Sequence, residues 1–229
     1  MFLFFLACFA SKDKAEKKDT PQLILDDKTI DVFWDDGDTF GFFDEKGKKI
    51  KARLNGYNTL ESYGPVHKWG DWTPQELYRF AKDSGDIARA TVWKCKTLPK
   101  GGGYGRLLVD CPELRSELIR TGYAHPFSVN KEAPRKDLED LAFARNNKNG
   151  MWEKGTPNFL ITSLHSQDEK PDKDAYNRVC DMNTGMCNAQ DHTDVYSSCQ
   201  EVCLQDSCMV YVPYKKRYGD SKAECILIK

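Results

Sequence analysis

Six of the nine cysteines in this 229-residue chain fall in its last fifty residues, at Cys180, Cys187, Cys199, Cys203, Cys208 and Cys225. Covalent links between fixed positions restrict a chain more tightly than any pattern of propensity. Such density is typical of small exported modules whose apolar core is thin. The other three are Cys8, Cys95 and Cys111. Setting Cys8 aside leaves an even number. Zinc is the competing use of such a cluster, but no Cys-x-x-Cys pair occurs and His192 is the only histidine near it. Disulfides formed in an oxidising compartment are therefore expected.

The start of the chain agrees with export. Residues 1–10 read MFLFFLACFA and residues 11–20 read SKDKAEKKDT. The apolar run is too short to cross a bilayer as a helix. It reads as the core of a secretion signal, without the charged leading region. Leu6-Ala7-Cys8 resembles the end of a bacterial lipoprotein signal, which makes Cys8 a lipidation candidate and a lipid anchor the one expected route to a membrane. Extracellular, periplasmic and envelope-anchored locations all fit.

Between leader and cysteine cluster, residues 21–157 read as one mixed α+β domain. Ile30 to Trp34, Thr39 to Phe43 and Lys49 to Asn55 alternate like strands, with a turn at Asp44-Glu45-Lys46-Gly47. Thr73-Pro74-Gln75-Glu76 is a helix start with a capping box, and the helix is expected to run to about Ser84-Gly85. Ala90 to Lys96 and Arg106 to Asp110 form a hairpin across a glycine-rich loop. Its pairing about a centre near Gly103 brings Cys95 opposite Cys111, and a disulfide follows if the register puts both on one face. Glu113 to Arg120 and Lys136 to Asn147 read as helices, and Gly150-Met151-Trp152 closes the domain. Five short strands with about three helices suggest a small barrel of the OB type. Residues 158–176 are polar and read as a linker, and residues 177–229 as a disulfide-rich module.

Charge excludes one class of function. The net charge is −1, and the central domain is almost neutral. A general nucleic-acid binder carries a clear basic excess. An enzyme that grips one or two phosphates does not need one. The central domain has the parts for that: two arginines, Arg53 and Arg106, for phosphate oxygens; an isolated Glu61 to take a proton from water; and Asp38 beside a turn, offering the hard oxygen that calcium prefers. His67, Trp69 and Trp72 follow Glu61, either as a wall of a cleft or, preferably, as a loop packed down by its own tryptophans. His125 before Pro126 reads as structural.

In order and spacing, Asp36-Gly37-Asp38-Thr39, Arg53 with Glu61 eight residues on, Tyr104-Gly105-Arg106, Gly122-Tyr123-Ala124 and Gly150-Met151-Trp152 resemble the staphylococcal nuclease (thermonuclease) family over roughly residues 27–154. The resemblance implies an OB-type barrel and calcium-dependent hydrolysis of DNA and RNA by a monomer. It gives Asp38 the role of first calcium carboxylate, Thr59 a backbone carbonyl on the ion, Arg53 and Arg106 the phosphate clamp, and Glu61 the general base. The chain departs from the pattern in three places. Asn58 stands where the family has an aspartate, so this metal position keeps its oxygen and loses its charge. Leu60 replaces a proline. Ser128, beside Phe127, stands about where an aromatic would stack on a base. A catalytically weakened barrel acting as a binding module on the envelope is the alternative.

The tail weakly resembles a PAN/apple-type module through Cys199-x3-Cys203-x4-Cys208, Val210-Tyr211-Val212 and Cys225-Ile226-Leu227. That resemblance implies a helix carrying two cysteines, two strands, the bridges Cys203–Cys208 and Cys199–Cys225, with Cys180–Cys187 remaining, and a protein or carbohydrate ligand. A stapled cap with no ligand of its own is the other reading.

Overall fold

The computed structural model describes residues 20–170, 172–219 and 222–226. Cys8 and the leader lie outside them, as does Leu227. The fold is mixed α+β, with three α-helices among the described residues and a nearly closed, barrel-like sheet. The chain enters through a hairpin of β1 (Gln22–Leu25) and β2 (Lys28–Asp31). Asp26 and Asp27 turn it with φ of 49° and 64°, a left-handed pair that matches strand twist and that Asp tolerates. After Asp31 the chain breaks: Val32 N donates to Pro21 O at 2.9 Å, so β3 (Phe33–Trp34) is a separate strand. The run Ile30 to Trp34, expected as one strand, is thus two. β4 (Thr39–Phe43) and β5 (Lys49–Leu54) follow as read from the alternation.

Next come β6 (Tyr57–Thr59), β7 (Val66–Lys68) and α1 (Pro74–Arg89). The capping box is present: Thr73 Oγ1 accepts from Glu76 N, and a Glu76 carboxylate oxygen accepts from Thr73 N at 2.9 Å. The helix continues past Ser84-Gly85 because these small residues do not mark an end. They let α1 press against the Asp36-Gly37 turn, where a Cβ on Gly37 would meet Ser84 Oγ at 2.7 Å. β8 (Trp93–Thr97) and β9 (Leu107–Asp110) form the expected antiparallel pair. The main sheet runs β2-β1-β8-β9-β5-β4-β3, seven strands where five were expected, and β2 returns toward β4. α2 (Pro112–Arg120), β10 (Ala124–Pro126), β11 (Ser128–Val129) and α3 (Arg135–Asn146) cover it. Leu23, Phe40, Leu54, Leu77, Val109, Leu118, Leu141 and Trp152 make up much of the buried core. Each contributes roughly 1.5–3 kcal/mol when removed from water.

The stretch 158–176, read as a linker, contains β12 (Phe159–Ser163) and a 3-10 turn at Gln167–Glu169. β12 pairs with β13 (Ala175–Asp181), which pairs with β14 (Met186–His192). β14 in turn joins β11, while β15 (Glu201–Leu204) and β16 (Ser207–Val210) extend the sheet from β7. The helix expected around Cys199–Cys203 is absent. Cys203 sits on β15 directly opposite Cys208 across a two-residue hairpin turn, so the bridge closes a hairpin instead of linking helix to strand. The closing strand expected at Cys225 is a 3-10 turn, Glu224–Ile226, with Ile226 packed on Val66, Tyr78 and Val212.

Among the described residues four disulfides are present: Cys95–Cys111, Cys180–Cys187, Cys199–Cys225 and Cys203–Cys208. Cys95–Cys111 ties β8 to the start of α2 within the core, with both residues buried. Replacing both by alanine is expected to cost about 3 kcal/mol, the chain-entropy value for a loop of this length. Urea denaturation under oxidising conditions measures it, and an unchanged midpoint would show that the bond adds nothing.

Candidate active site

Asp38 owes its position to a tight turn between β3 and β4. Asp35 N donates to Thr39 O at 3.0 Å, and the Tyr57 hydroxyl donates to Gly37 O at 2.7 Å. No side chain fits at Gly37, because a Cβ would lie 2.7 Å from both Ser84 Oγ and Thr59 Cγ2. Held this way, the Asp38 carboxylate accepts from Thr39 Oγ1 at 3.0 Å, Thr59 N at 2.9 Å and Thr59 Oγ1 at 3.1 Å. It also contacts the Arg53 guanidinium. Arg53 lies on β5 opposite Thr39. Its nitrogens donate to Asp38 O and Tyr57 O, both at 3.2 Å, and to Asn58 Oδ1. Burial pushes the guanidinium down to about 10, and Asp36 and Glu61 resist that fall. It remains a cation at neutral pH.

Glu61 follows β6. Its Oε1 accepts from Tyr63 N at 2.9 Å. Burial raises its pKa, nearby Asp36 adds to the rise, and Arg217 and Arg53 oppose it. A carboxylate moved toward neutrality by its surroundings is suited to accept a proton. Arg106 ends the glycine-rich loop and donates to Gly103 O at 3.3 Å and Gly102 O at 3.1 Å. Its charge is felt by Arg53.

Asp38, Arg53, Asn58, Thr59, Glu61 and Arg106 all line one cleft of about 940 Å³. His67, Trp69 and Trp72 do not. They are buried, and the two indoles donate to Gly155 O at 3.1 Å and Met151 O at 2.8 Å, clamping the end of the barrel segment. Ser128 lines the cleft beside Phe127, with its hydroxyl turned to Glu132 O at 3.5 Å.

Sequence reasoning did not single out three charged groups around the cleft. Asp36 accepts from Asp38 N at 3.1 Å, and burial raises its pKa. The motif Asp36-Gly37-Asp38 holds it in plain view, but only burial gives it significance. Arg115 braces one wall by pairing with Asp110 and with Asp137 at 3.1 Å. Arg217 comes from the C-terminal segment, where it donates to Val212 O at 2.9 Å and pairs with Glu169 at 3.3 Å. Nothing in the sequence relates it to Glu61, 156 positions earlier.

The calcium implied by the nuclease resemblance needs hard oxygen donors. The Asp38 carboxylate, in the turn before β4, and Asn58 Oδ1 and Thr59 O, on β6, are donors of that kind, and Asp36 adds charge close by. The set fits by donor type, with one fewer carboxylate than the family pattern. Asp38 and Asn58 both contact Arg53, and Thr59 O accepts from Asn58 Nδ2 at 3.1 Å, so a cation competes with these bonds. Among the described residues, the only cluster of three ligand-type side chains is Glu201, Cys203 and Cys208, and its two cysteines are joined as a disulfide.

Compared with models of protein families and with curated proteins, the chain matches none. Four disulfides accord with an oxidising compartment. Among the described residues no helix is long and apolar enough to cross a membrane.

Proposed function

We propose that this protein is an exported nuclease of the staphylococcal type, hydrolysing phosphodiester bonds of DNA or RNA on an OB-type barrel. The observation that carries the reading is the convergence of Asp38, Arg53, Asn58, Thr59, Glu61 and Arg106, drawn from separate segments, on one cleft. Glu61 removes a proton from water as its oxygen attacks phosphorus; one P–O ester bond then breaks, and the departing sugar oxygen takes a proton from solvent and leaves as an alcohol. Arg53 and Arg106 donate hydrogen bonds to the phosphate oxygens, which strengthen as charge builds in the pentacovalent state. Burial of Arg53 keeps water from competing for those bonds. Asp38, Asn58 and Thr59 would hold a calcium ion, which when bound would supply Lewis-acid polarisation of a phosphate oxygen. Export follows the apolar leader, and Cys8 is its candidate for lipid attachment.

Single-stranded DNA and RNA incubated with the full chain are expected to be cut with millimolar calcium present and left intact with chelator. No cleavage of either polymer overturns the enzymatic reading. A non-catalytic binding barrel is the second reading, favoured by the engagement of Arg53 with both Asp38 and Asn58. Asn58→Asp separates the two. A second carboxylate at the site is expected to tighten calcium binding by at least about tenfold, since like-sized charge changes at contact distance carry more than 1 kcal/mol. Calorimetric titration measures that affinity. A gain of cleavage from an inactive parent means a lapsed enzyme, whereas a small change in an active parent means that the amide suffices.

A further inference from the structure

The cleft has a second wall, built by strands outside the barrel segment. Tyr176 and Arg178 stand two residues apart on β13 and so share one face, while Asn177 between them is buried and donates to the Tyr196 hydroxyl at 2.9 Å. Both line the cleft that holds Arg53 and Arg106, together with His165 just beyond β12. These groups form a continuous shelf. The Arg178 guanidinium lies 5.7 Å from the centre of the Phe127 ring and 5.2 Å from that of Tyr176. The His165 ring packs 4.8 Å from that of Tyr176, tilted by 50° to it. Arg178 Nε is buried without a hydrogen-bond partner among the described residues. Burial raises the Tyr176 pKa, so its hydroxyl stays neutral.

Flat rings interleaved with a guanidinium are what single-stranded nucleic acid binds. Aromatic faces take bases with little regard to sequence, and the cation takes the phosphate between them. The Arg178 guanidinium is hydrogen-bonded to the Tyr176 hydroxyl, which keeps it on the shelf, while its Nε finds no partner among the described residues. The main-chain order explains the arrangement: β12 and β13 are tied to the barrel through β14 and β11, which puts Tyr176 and Arg178 across from Arg106. We propose that Phe127, His165, Tyr176 and Arg178 form a nucleotide subsite, in which a base of single-stranded nucleic acid next to the scissile phosphate stacks on the shelf and Arg178 holds the adjoining phosphate. The C-terminal strands thereby supply a stacking surface where Ser128 supplies none. The subsite takes its occupant from the proposed function but does not depend on cleavage.

The test uses the full chain carrying Glu61→Gln, so that the probe survives, and a fluorescein-labelled oligothymidylate of about eight nucleotides, within the range such grooves cover. Fluorescence anisotropy is expected to show binding that Tyr176→Leu weakens about tenfold, the scale of one lost base stack. Arg178→Gln is expected to weaken it similarly and to reduce the slope of log affinity against log salt by about 0.7, one phosphate contact. Arg178→Lys keeps the charge and should retain the slope while losing affinity. Equal affinities for the parent and all three variants, or no binding by the parent at low salt, overturn the subsite. If the natural chain cuts no nucleic acid while these variants lose binding, the subsite stands and the hydrolytic reading falls. If the natural chain cuts and the three substitutions leave KM unchanged, the hydrolytic reading stands and the subsite falls.

Discussion

Glu61→Gln is expected to lower kcat for cleavage of single-stranded DNA by about 10²–10⁴-fold, the usual contribution of a positioned general base. The amide keeps the shape and can still accept from Tyr63 N, as the carboxylate does. It cannot take a proton from water. Because Glu61 carries a raised pKa, the charged form is already disfavoured by burial, and removing the charge should not destabilise the fold. Thermal unfolding within a few degrees of the natural chain, alongside the loss of kcat, separates chemistry from folding. The raised pKa also sets the pH profile. Cleavage should fall with acid as Glu61 protonates, at a pH above the 4.5 of an ordinary glutamate. Full activity in the Glu61→Gln protein would remove the base from the mechanism, and with it the strongest reason to regard the cleft as hydrolytic.

The second large effect is on stability. His67 and His125 are fully buried, and burial holds them down at about 3 and about 4. His67 has no partner for either ring nitrogen. His125 Nδ1 lies 2.8 Å from Pro126 O, which fixes the proton on that nitrogen, while its Nε2 has no partner. Each charge would repel the other, and Arg53 adds to the repulsion at His125. In the folded protein both rings are therefore neutral at any pH above about 5, whereas in the unfolded chain they take up protons below about 6.5. The unfolded state binds more protons throughout that interval, so stability is complete above pH 7 and is lost as pH falls from 6.5 toward 4. At 1.36 kcal/mol per unit for each ring, the loss is about 6 kcal/mol near pH 4. Asp36 and Glu61, with raised pKa values, act in the opposite direction. The comparison of variants is therefore the decisive measurement. Urea denaturation of His67→Leu between pH 7.5 and 4 is expected to show about half the histidine-linked slope. A slope identical to that of the natural chain would show that His67 is not the linked group.

Local chemistry determined a large part of this protein. The capping box at Thr73 and Glu76, the hairpin over Gly101 to Gly103 and the facing cysteines of β8 and α2 depend on neighbours in sequence or on a single strand register, so a pattern of residue types suffices to place them. The resemblance of the tail to a PAN/apple module pointed to the pairings of the remaining six cysteines, although the elements that carry Cys203 and Cys225 differ from those implied: Cys203–Cys208 closes a hairpin and Cys225 lies in a 3-10 turn. Asp38, Arg53, Glu61 and Arg106 could be chosen from their types, because hard-oxygen, cationic and basic groups each have few uses in combination, whereas Asn58 and Thr59 were implied only by the nuclease resemblance.

Burial and adjacency between distant segments could not be read in that way. Whether Ser84-Gly85 ends a helix or lets it press against Gly37 depends on what lies across the gap. The polar stretch 158–176 looks like a connection until β13 supplies the hydrogen bonds that make Phe159–Ser163 a strand. Arg217 beside Glu61, and Tyr176 and Arg178 opposite Arg106, meet only because sheets join segments remote along the chain. The sequence specifies which groups are present and which short elements they form, since those follow from covalent geometry and near neighbours. Desolvation and the company each charge keeps were decided by the tertiary structure alone, because both are properties of enclosed space and of contacts that no local pattern encodes.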